Sequence, residues 1–407
     1  MRAIRHILLI NSDKTEPINV FKNRDEELYI SVITKKQHKN LYKEITDNIF
    51  IVDTFENLLT VREVVVTIQR EKKIDYIITP TEKGVLAGGF IRSFFGIDGV
   101  KFETALSTTN KLAMKAKVNN AGIPTANFRR LDNLNQVLSI ADELGWPLII
   151  KPAIGSGTRN TFKINSKEEF INKRDNTQLF NELHTIGVPM IVESFIEMDE
   201  YHCDGIIYEN ELVFLSISKY MEPPLVSMKG FLGSYILPKD LPIYNRLKKA
   251  VEDVVKSLHI PRGPVHIELY RTNSEQIIFG EIALRPGGAG VFQTIKKQYG
   301  ISIWEKAYEV ETQSLENINI KINDNVCGWI GLPCNNGKLV DFIDIESLYE
   351  LDDCIKYVEQ HFQKGDIVNQ KISSTFHLYT IYFEVSQINY IENFTKKLDA
   401  AYYIVTV

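Results

Sequence analysis

Two glutamates define the chemistry this sequence can do. The run Gly263 to Tyr270 carries Glu268, and the run Ile277 to Arg285 carries Glu281. A hairpin turn centred between Ser274 and Glu275 makes Glu268 and Glu281 cross-strand partners. Strand alternation then predicts His266, Glu268, Tyr270, Phe279, Glu281, Ala283 and Arg285 on one face, and Val265, Ile267, Leu269, Ile278, Ile282 and Leu284 on the other. Carboxylates opposed in this way, about 5 Å apart at Cβ, repel unless a cation lies between them. Hard oxygen ligands that leave positions open for phosphate oxygens and water suit Mg2+. The alternative is a solvated glutamate pair on an exposed sheet face.

Arg285 emerges on the carboxylate face just before Gly287, Gly288 and a helix start near Gly290 to Thr294, a combination that favours an anion such as a carboxylate or an acyl phosphate. A simple Arg285–Glu281 pair is the other reading. Lys151 closes the apolar strand Leu148 to Ile150 and runs into Gly155-Ser156-Gly157-Thr158, whose backbone can approach phosphates. The GxxxxGK[ST] pattern of a P-loop is absent, and a plain turn fits the loop equally well. Lys111, opening a helix after Asn110, supplies a second cation for a triphosphate. Glu193, at the end of the strand Met190 to Val192, can accept a base's amino group, and Glu200 can hold ribose hydroxyls.

These residues need elements that bring them together. Over the first hundred residues, apolar runs (His6 to Asn11, Leu28 to Thr34, Ile49 to Val52, Tyr76 to Thr79) alternate with helical patterns such as Glu56 to Lys73, which predicts a Rossmann-like lobe of parallel strands. No GxGxxG turn accompanies it, so a nicotinamide-type site has little support. Helices are expected at Asn110 to Asn120, Leu134 to Leu144, Ser166 to Lys173 and Ile243 to Leu258. Hairpin strands are expected at Tyr208 to Leu215 and Phe231 to Leu237, and strands at Val326 to Leu332, Phe376 to Glu384 and Tyr402 to Thr406 around a helix at Ile391 to Ala401.

Composition removes several function classes. The chain has 407 residues, 44% hydrophobic and 24% charged, with a net charge of -5, which argues for a folded protein without the basic footprint of nucleic-acid or anionic-membrane binding. The apolar run Ile7 to Ile10 is too short for a signal peptide, so the expected location is the cytoplasm. The four cysteines and eight histidines fall into no CxxC, HxH or HExxH spacing, and any metal should be held by oxygen.

The ordered set Lys111, Lys151, glycine-rich loop, Glu193, Glu200, Glu268, Glu281, Arg285 resembles the ATP-grasp superfamily. Within it, the set is similar to carboxylate-amine ligases related to biotin carboxylase and to the bacterial L-amino acid ligases. The resemblance implies an α/β and α+β multidomain chain: a Rossmann-like preATP-grasp domain over 1–105, an ATP-grasp subdomain over 106–190, a nucleotide- and metal-binding core over 191–315 and an α+β subdomain over 316–407. Lys111 and Lys151 would bind ATP phosphates under the loop Gly155, Ser156, Gly157 and Thr158. Glu193 with the Phe195 and Ile196 backbone would hold adenine, and Glu200 the ribose. Glu268 and Glu281 would carry two Mg2+ ions, with Mn2+ as a substitute, while Arg285, Gly287 and Gly288 position the carboxylate to be phosphorylated.

Glu82, in Thr79-Pro80-Thr81-Glu82, stands where amino acid ligases place a glutamate on the substrate's amino group; a plain exposed loop glutamate is the alternative. His266 is a candidate substrate contact or a core histidine. The asparagine that many relatives carry two residues after the second metal glutamate is Ala283 here, which implies weaker binding of one Mg2+. The implied activity is amide or peptide bond formation through an acyl phosphate, releasing ADP and phosphate, from small-molecule carboxylate and amine substrates. The alternatives are a carboxylase or formate-activating ligase and a catalytically inactive nucleotide sensor. Related ligases are often dimers, which leaves a homodimer open.

Overall fold

The computed structural model describes residues 4–24, 26–155, 157, 159–176, 189–227, 230–369 and 376–407. The first sheet is parallel, in the order β3-β2-β1-β4, with β1 Arg5–Ile10, β2 Leu28–Thr34, β3 Ile49–Ile51 and β4 Tyr76–Ile78. These strands are nearly continuous apolar runs because helices such as Leu58–Glu71 and Glu82–Phe95 cover them. The helix Glu82–Phe95 starts directly after β4, which puts Glu82 at the carboxyl edge of the sheet.

The second sheet is antiparallel, in the order β5-β8-β6-β7, with β5 Phe128–Leu131, β6 Leu148–Pro152, β7 Phe162–Ile164 and β8 Met190–Ser194. Lys151 lies on β6 and Glu193 on β8, and the glycine-rich segment joins β6 to β7. The large sheet runs β13-β12-β9-β10-β11-β14-β18-β16, with β9 Met198–Tyr208, β10 Glu211–Tyr220, β11 Leu232–Ile236, β12 Gly263–Thr272, β13 Ile277–Ala283, β14 Val326–Pro333, β16 Ile355–Gln360 and β18 His377–Val385. A small sheet, β17-β15-β19, contains β15 Gly337–Phe342, β17 Ile367–Val368 and β19 Ile404–Thr406. Sheets therefore cross the expected division of the chain: β8 pairs with β5 and β6, and β14, β16 and β18 extend the sheet built by β9 to β13.

The expected strand Tyr208 to Leu215 is corrected. Glu209 and Asn210 form the turn with positive φ between β9 and β10, and the long strand before it, β9, carries Glu200, His202 and Asp204. The β12–β13 hairpin has Glu268 opposite Glu281 and His266 opposite Ala283, as the spacing predicts. Beyond Glu281 a bulge shifts the register, so that Phe279 pairs with Leu269 and Ile278 with Tyr270. Phe279 therefore leaves the expected site face and packs with Leu269, Ile267 and Ile282 in the core below the sheet.

Gly280 makes this bulge possible. An ideal Cβ at Gly280 would lie 2.5 Å from the Tyr270 ring, closer than any real contact. Gly280→Ala should therefore destabilise the fold by about 1–3 kcal/mol; a lowered urea midpoint against the unmutated protein checks this.

Candidate active site

Three antiparallel strands place the polar residues on one face of the large sheet. Across β12 and β9 the register pairs Glu268 with His202, His266 with Asp204 and Tyr270 with Glu200. Residues in register share a face, so Glu200, His202 and Asp204 point to the same side as Glu268 and Glu281. Tyr201, Cys203, Val265, Ile267 and Leu269 fill the core on the other side. A single cleft is lined by Lys111, Lys151, Gly155, Gly157, Glu193, Phe195, Ile196, Glu200, His266, Glu268, Glu281, Arg285 and Gly288. Ser156 and Thr158 lie outside the described residues.

Lys111, Lys151 and Arg285, which line the cleft, each have a carboxylate partner. Asn110 caps the helix Lys111–Asn120 by accepting from Leu112 N at 3.0 Å, which sets Lys111 in the first turn. Lys111 Nζ stands 3.0 Å from Glu281 Oε1 and donates to the Gly155 carbonyl at 2.7 Å. Lys151 Nζ pairs with Glu193 Oε2 at 3.2 Å, and Lys115 Nζ approaches Glu193 Oε1 at 3.4 Å. Burial would raise the Glu193 carboxyl, but Lys115 and Lys151 hold it below its ordinary value. Burial pulls the Lys115 ammonium down, opposed by Glu193. The expected base-binding glutamate is thus the hub of a buried lysine pair, and the Phe195 N–H already donates to the Pro147 carbonyl at 3.0 Å. Lys163 Nζ sits 3.6 Å from the centroid of the Phe195 ring.

Arg285 does not pair with Glu281. Its Nη2 donates to Glu82 Oε2 at 3.3 Å, and its Nη1 to the Pro286 carbonyl at 3.0 Å. Glu82 is not an exposed loop residue but the first residue of a helix, largely buried: burial raises its carboxyl, with Arg285 opposing. The same helix is anchored by Arg92, 1% exposed, which donates to the Ile77 carbonyl at 2.6 Å and pairs with Glu311 at 3.3 Å.

Glu268 and Glu281 side chains are 24% and 22% exposed into the cleft, an open oxygen donor set that fits Mg2+. Burial and the neighbouring Glu268 push the Glu200 carboxyl well above its usual range. His266, the candidate substrate contact or core histidine, lines the cleft with both ring nitrogens turned towards carboxylates. Its Nδ1 faces Asp204 Oδ1 at 2.9 Å and its Nε2 lies 3.7 Å from Glu268 Oε1. Burial alone would lower the His266 pKa, but Asp204 and Glu268 raise it to about 9. Burial works against Glu268 as well, yet His266 holds that carboxyl below its usual value.

Sequence reasoning missed Lys115, His202 and Asp204. Lys115 follows Lys111 by one helical turn and shares its face. The strict alternation Glu200-Tyr201-His202-Cys203-Asp204 is a strand signal that the misplaced hairpin hid.

The family described as ATP-grasp domain matches residues 144–293, which include Lys151, Glu193, Glu200, Glu268, Glu281 and Arg285. The chain is 39% identical over 401 residues, 98% of its length and 97% of the relative's, to the L-arginine-specific L-amino acid ligase of Bacillus subtilis. Alanine--anticapsin ligase of Bacillus subtilis is 22% identical over 258 residues, 58% of this chain and 54% of that one. Among solved structures, the L-amino acid ligase from Bacillus licheniformis superposes with a TM-score of 0.76 at 18% identity, over 100% of both chains. The chain belongs to the ATP-grasp carboxylate-amine ligases and is closely related to the bacterial L-amino acid ligases. It is an ATP-dependent, ADP-forming enzyme that makes carbon–nitrogen bonds between amino-acid-like substrates. Among the described residues, no helix is long and apolar enough to cross a membrane.

Removing Lys115 leaves Glu193 Oε1 without a cation in the interior, while Lys151 keeps the other oxygen. Lys115→Met should lower the unfolding free energy by about 1–3 kcal/mol and weaken ATP binding, as read by urea denaturation and calorimetric titration.

Proposed function

We propose that this ligase joins two L-amino acids, one of them carrying a cationic side chain, through an acyl phosphate. The observation that carries the reading is the single cleft in which opposed Glu268 and Glu281 meet Lys111, Lys151 and Arg285, the last backed by Glu82. An α-amino acid holds its carboxylate and ammonium on one carbon, and Arg285 beside Glu82 offers the complementary charges 3.3 Å apart. Arginine is the first side chain to test, since the relative aligned over nearly the whole chain is specific for it.

In this reading Lys111 and Lys151 bind the ATP phosphates and offset charge on the transferring phosphoryl group. Gly155 and Gly157, which line the cleft, supply backbone that approaches the phosphates. Ile196 and Phe195 flank adenine beside Glu193, and Glu200 accepts from the ribose. Glu268 and Glu281 would hold two Mg2+ ions, replaceable by Mn2+, and the ions would supply positive charge against the phosphates. A substrate carboxylate oxygen attacks the γ-phosphorus and ADP leaves. The amine then attacks the acyl carbon, the bond to phosphate breaks, and the proton lost from nitrogen passes to the departing phosphate. Arg285 and the Gly287-Gly288 backbone stabilise the oxyanion formed between these two events. Glu82 orients the ammonium group of an amino acid.

ADP and phosphate release should depend on amino acids presented singly and in pairs, with a condensed dipeptide mass in the product. Glu281→Gln should lower kcat by at least about 100-fold, roughly 2.7 kcal/mol of barrier, with nucleotide binding largely kept. AMP and pyrophosphate as products, or turnover unchanged in Glu281→Gln, would contradict the reading.

A further inference from the structure

A buried polar chain on the site face has no part in the steps above. Ser234 Oγ lies 2.7 Å from His202 Nε2, His202 Nδ1 lies 2.6 Å from Asp204 Oδ2, and Asp204 Oδ1 lies 2.9 Å from His266 Nδ1. Ser234, His202 and Asp204 are each 1% exposed and His266 is 8% exposed. The chain ends at Glu268, 3.7 Å from His266 Nε2. Asp204 has a second neighbour: an ideal Cβ on Gly287 would lie 2.5 Å from Asp204 Oδ1, so the loop backbone rests directly on the carboxylate. One buried side chain therefore touches what braces Glu268 and what forms the acyl-binding loop.

His202, Asp204 and His266 could also be ligands to a metal, since one donor atom from each falls within 4.8 Å of the others. The nitrogen–oxygen separations of 2.6 and 2.9 Å are hydrogen-bond lengths. Two ligands about 2.0–2.1 Å from a tetrahedral metal stand about 3.3 Å apart. The spacing is that of a hydrogen-bonded chain.

We propose that Asp204 is a positioning residue that keeps the metal carboxylate Glu268 in register with the Gly287-Gly288 loop. One oxygen fixes His266 against Glu268, and the other is fixed by His202, itself tied to Ser234. The loop rests on the same Asp204 oxygen that faces His266, which makes Gly287 part of the same contact. The inference rests on Glu268 and Glu281 being the metal ligands.

The test is Mn2+ binding in the presence of ADP, read from the electron paramagnetic resonance of the free ion, alongside ADP affinity and thermal melting. Asp204→Asn and Gly287→Ala should each weaken Mn2+ binding by about tenfold or more, as losses of outer partners of metal ligands do, while ADP affinity stays near that of the unmutated protein; both should melt lower, since one removes a buried charged partner of two histidines and the other crowds Asp204 and Val291. A folded Asp204→Asn protein that binds Mn2+ as well as the unmutated one overturns the inference. If Asp204→Asn does not fold, Gly287→Ala and Ser234→Ala decide, and unchanged Mn2+ binding in both overturns it. Stoichiometric zinc or another transition metal in the purified protein, lost in Asp204→Asn, overturns it in favour of a metal centre. Failure of the metal assignment itself looks different: Glu281→Gln then binds Mn2+ as well as the unmutated protein.

Discussion

Glu268 and Glu281 face each other across two strands, and their mutual repulsion in a partly dry cleft sets what must surround them. Strand alternation adds Glu200 and Asp204 to the same face. Cations have to come within reach, and they arrive from separate parts of the chain: Lys111 from a capped helix, Lys151 from the end of β6, Arg285 from the loop after β13, and His266 from β12 itself. The cleft exists where these elements meet, which is why two sheets and a helix from the first lobe converge on it.

The pairs differ in how firmly the protein holds them. Glu193 is 4% exposed, and both its oxygens face lysines, so it stays charged in the interior and fixes Lys115 and Lys151 together. Arg285 and Glu82 join different lobes, and their contact is only as stable as the helix that carries Glu82. The fully buried Arg92 supplies that stability by tying the helix to Glu311 and to the Ile77 carbonyl. Lys111 joins Glu281 and the Gly155 carbonyl, so metal carboxylate and phosphate loop share one ammonium group.

Much of this was legible in the residues. Hairpin arithmetic put Glu268 opposite Glu281 with the turn placed half a residue late: the pairs next to the turn centre on Ser274, and the bulge at Gly280 restores the pairing at the glutamates. The capping asparagine before Lys111 and the apolar strand before Lys151 were both readable from local signals. The bulge at Gly280 was not, because a bulge costs one residue of register and leaves the hydrophobic alternation looking intact; Phe279 was assigned to the wrong face for that reason. The strand Met198–Tyr208 was hidden by a turn made of Glu209 and Asn210, two residues whose positive φ carries no glycine signal.

By itself the sequence determined the kind of chemistry: which groups can carry phosphate and a hard cation, and the order in which they occur along strands and helices. Those properties are local, since side-chain type and a period of two or 3.6 residues depend only on near neighbours. Only the tertiary structure decided the partners. That Arg285 meets Glu82 rather than Glu281, that Glu193 gathers two lysines, and that His266 is held between Asp204 and Glu268 all follow from how separate elements pack. Charges distant in the chain pair according to which surfaces the core brings into contact, and residue spacing carries no record of that.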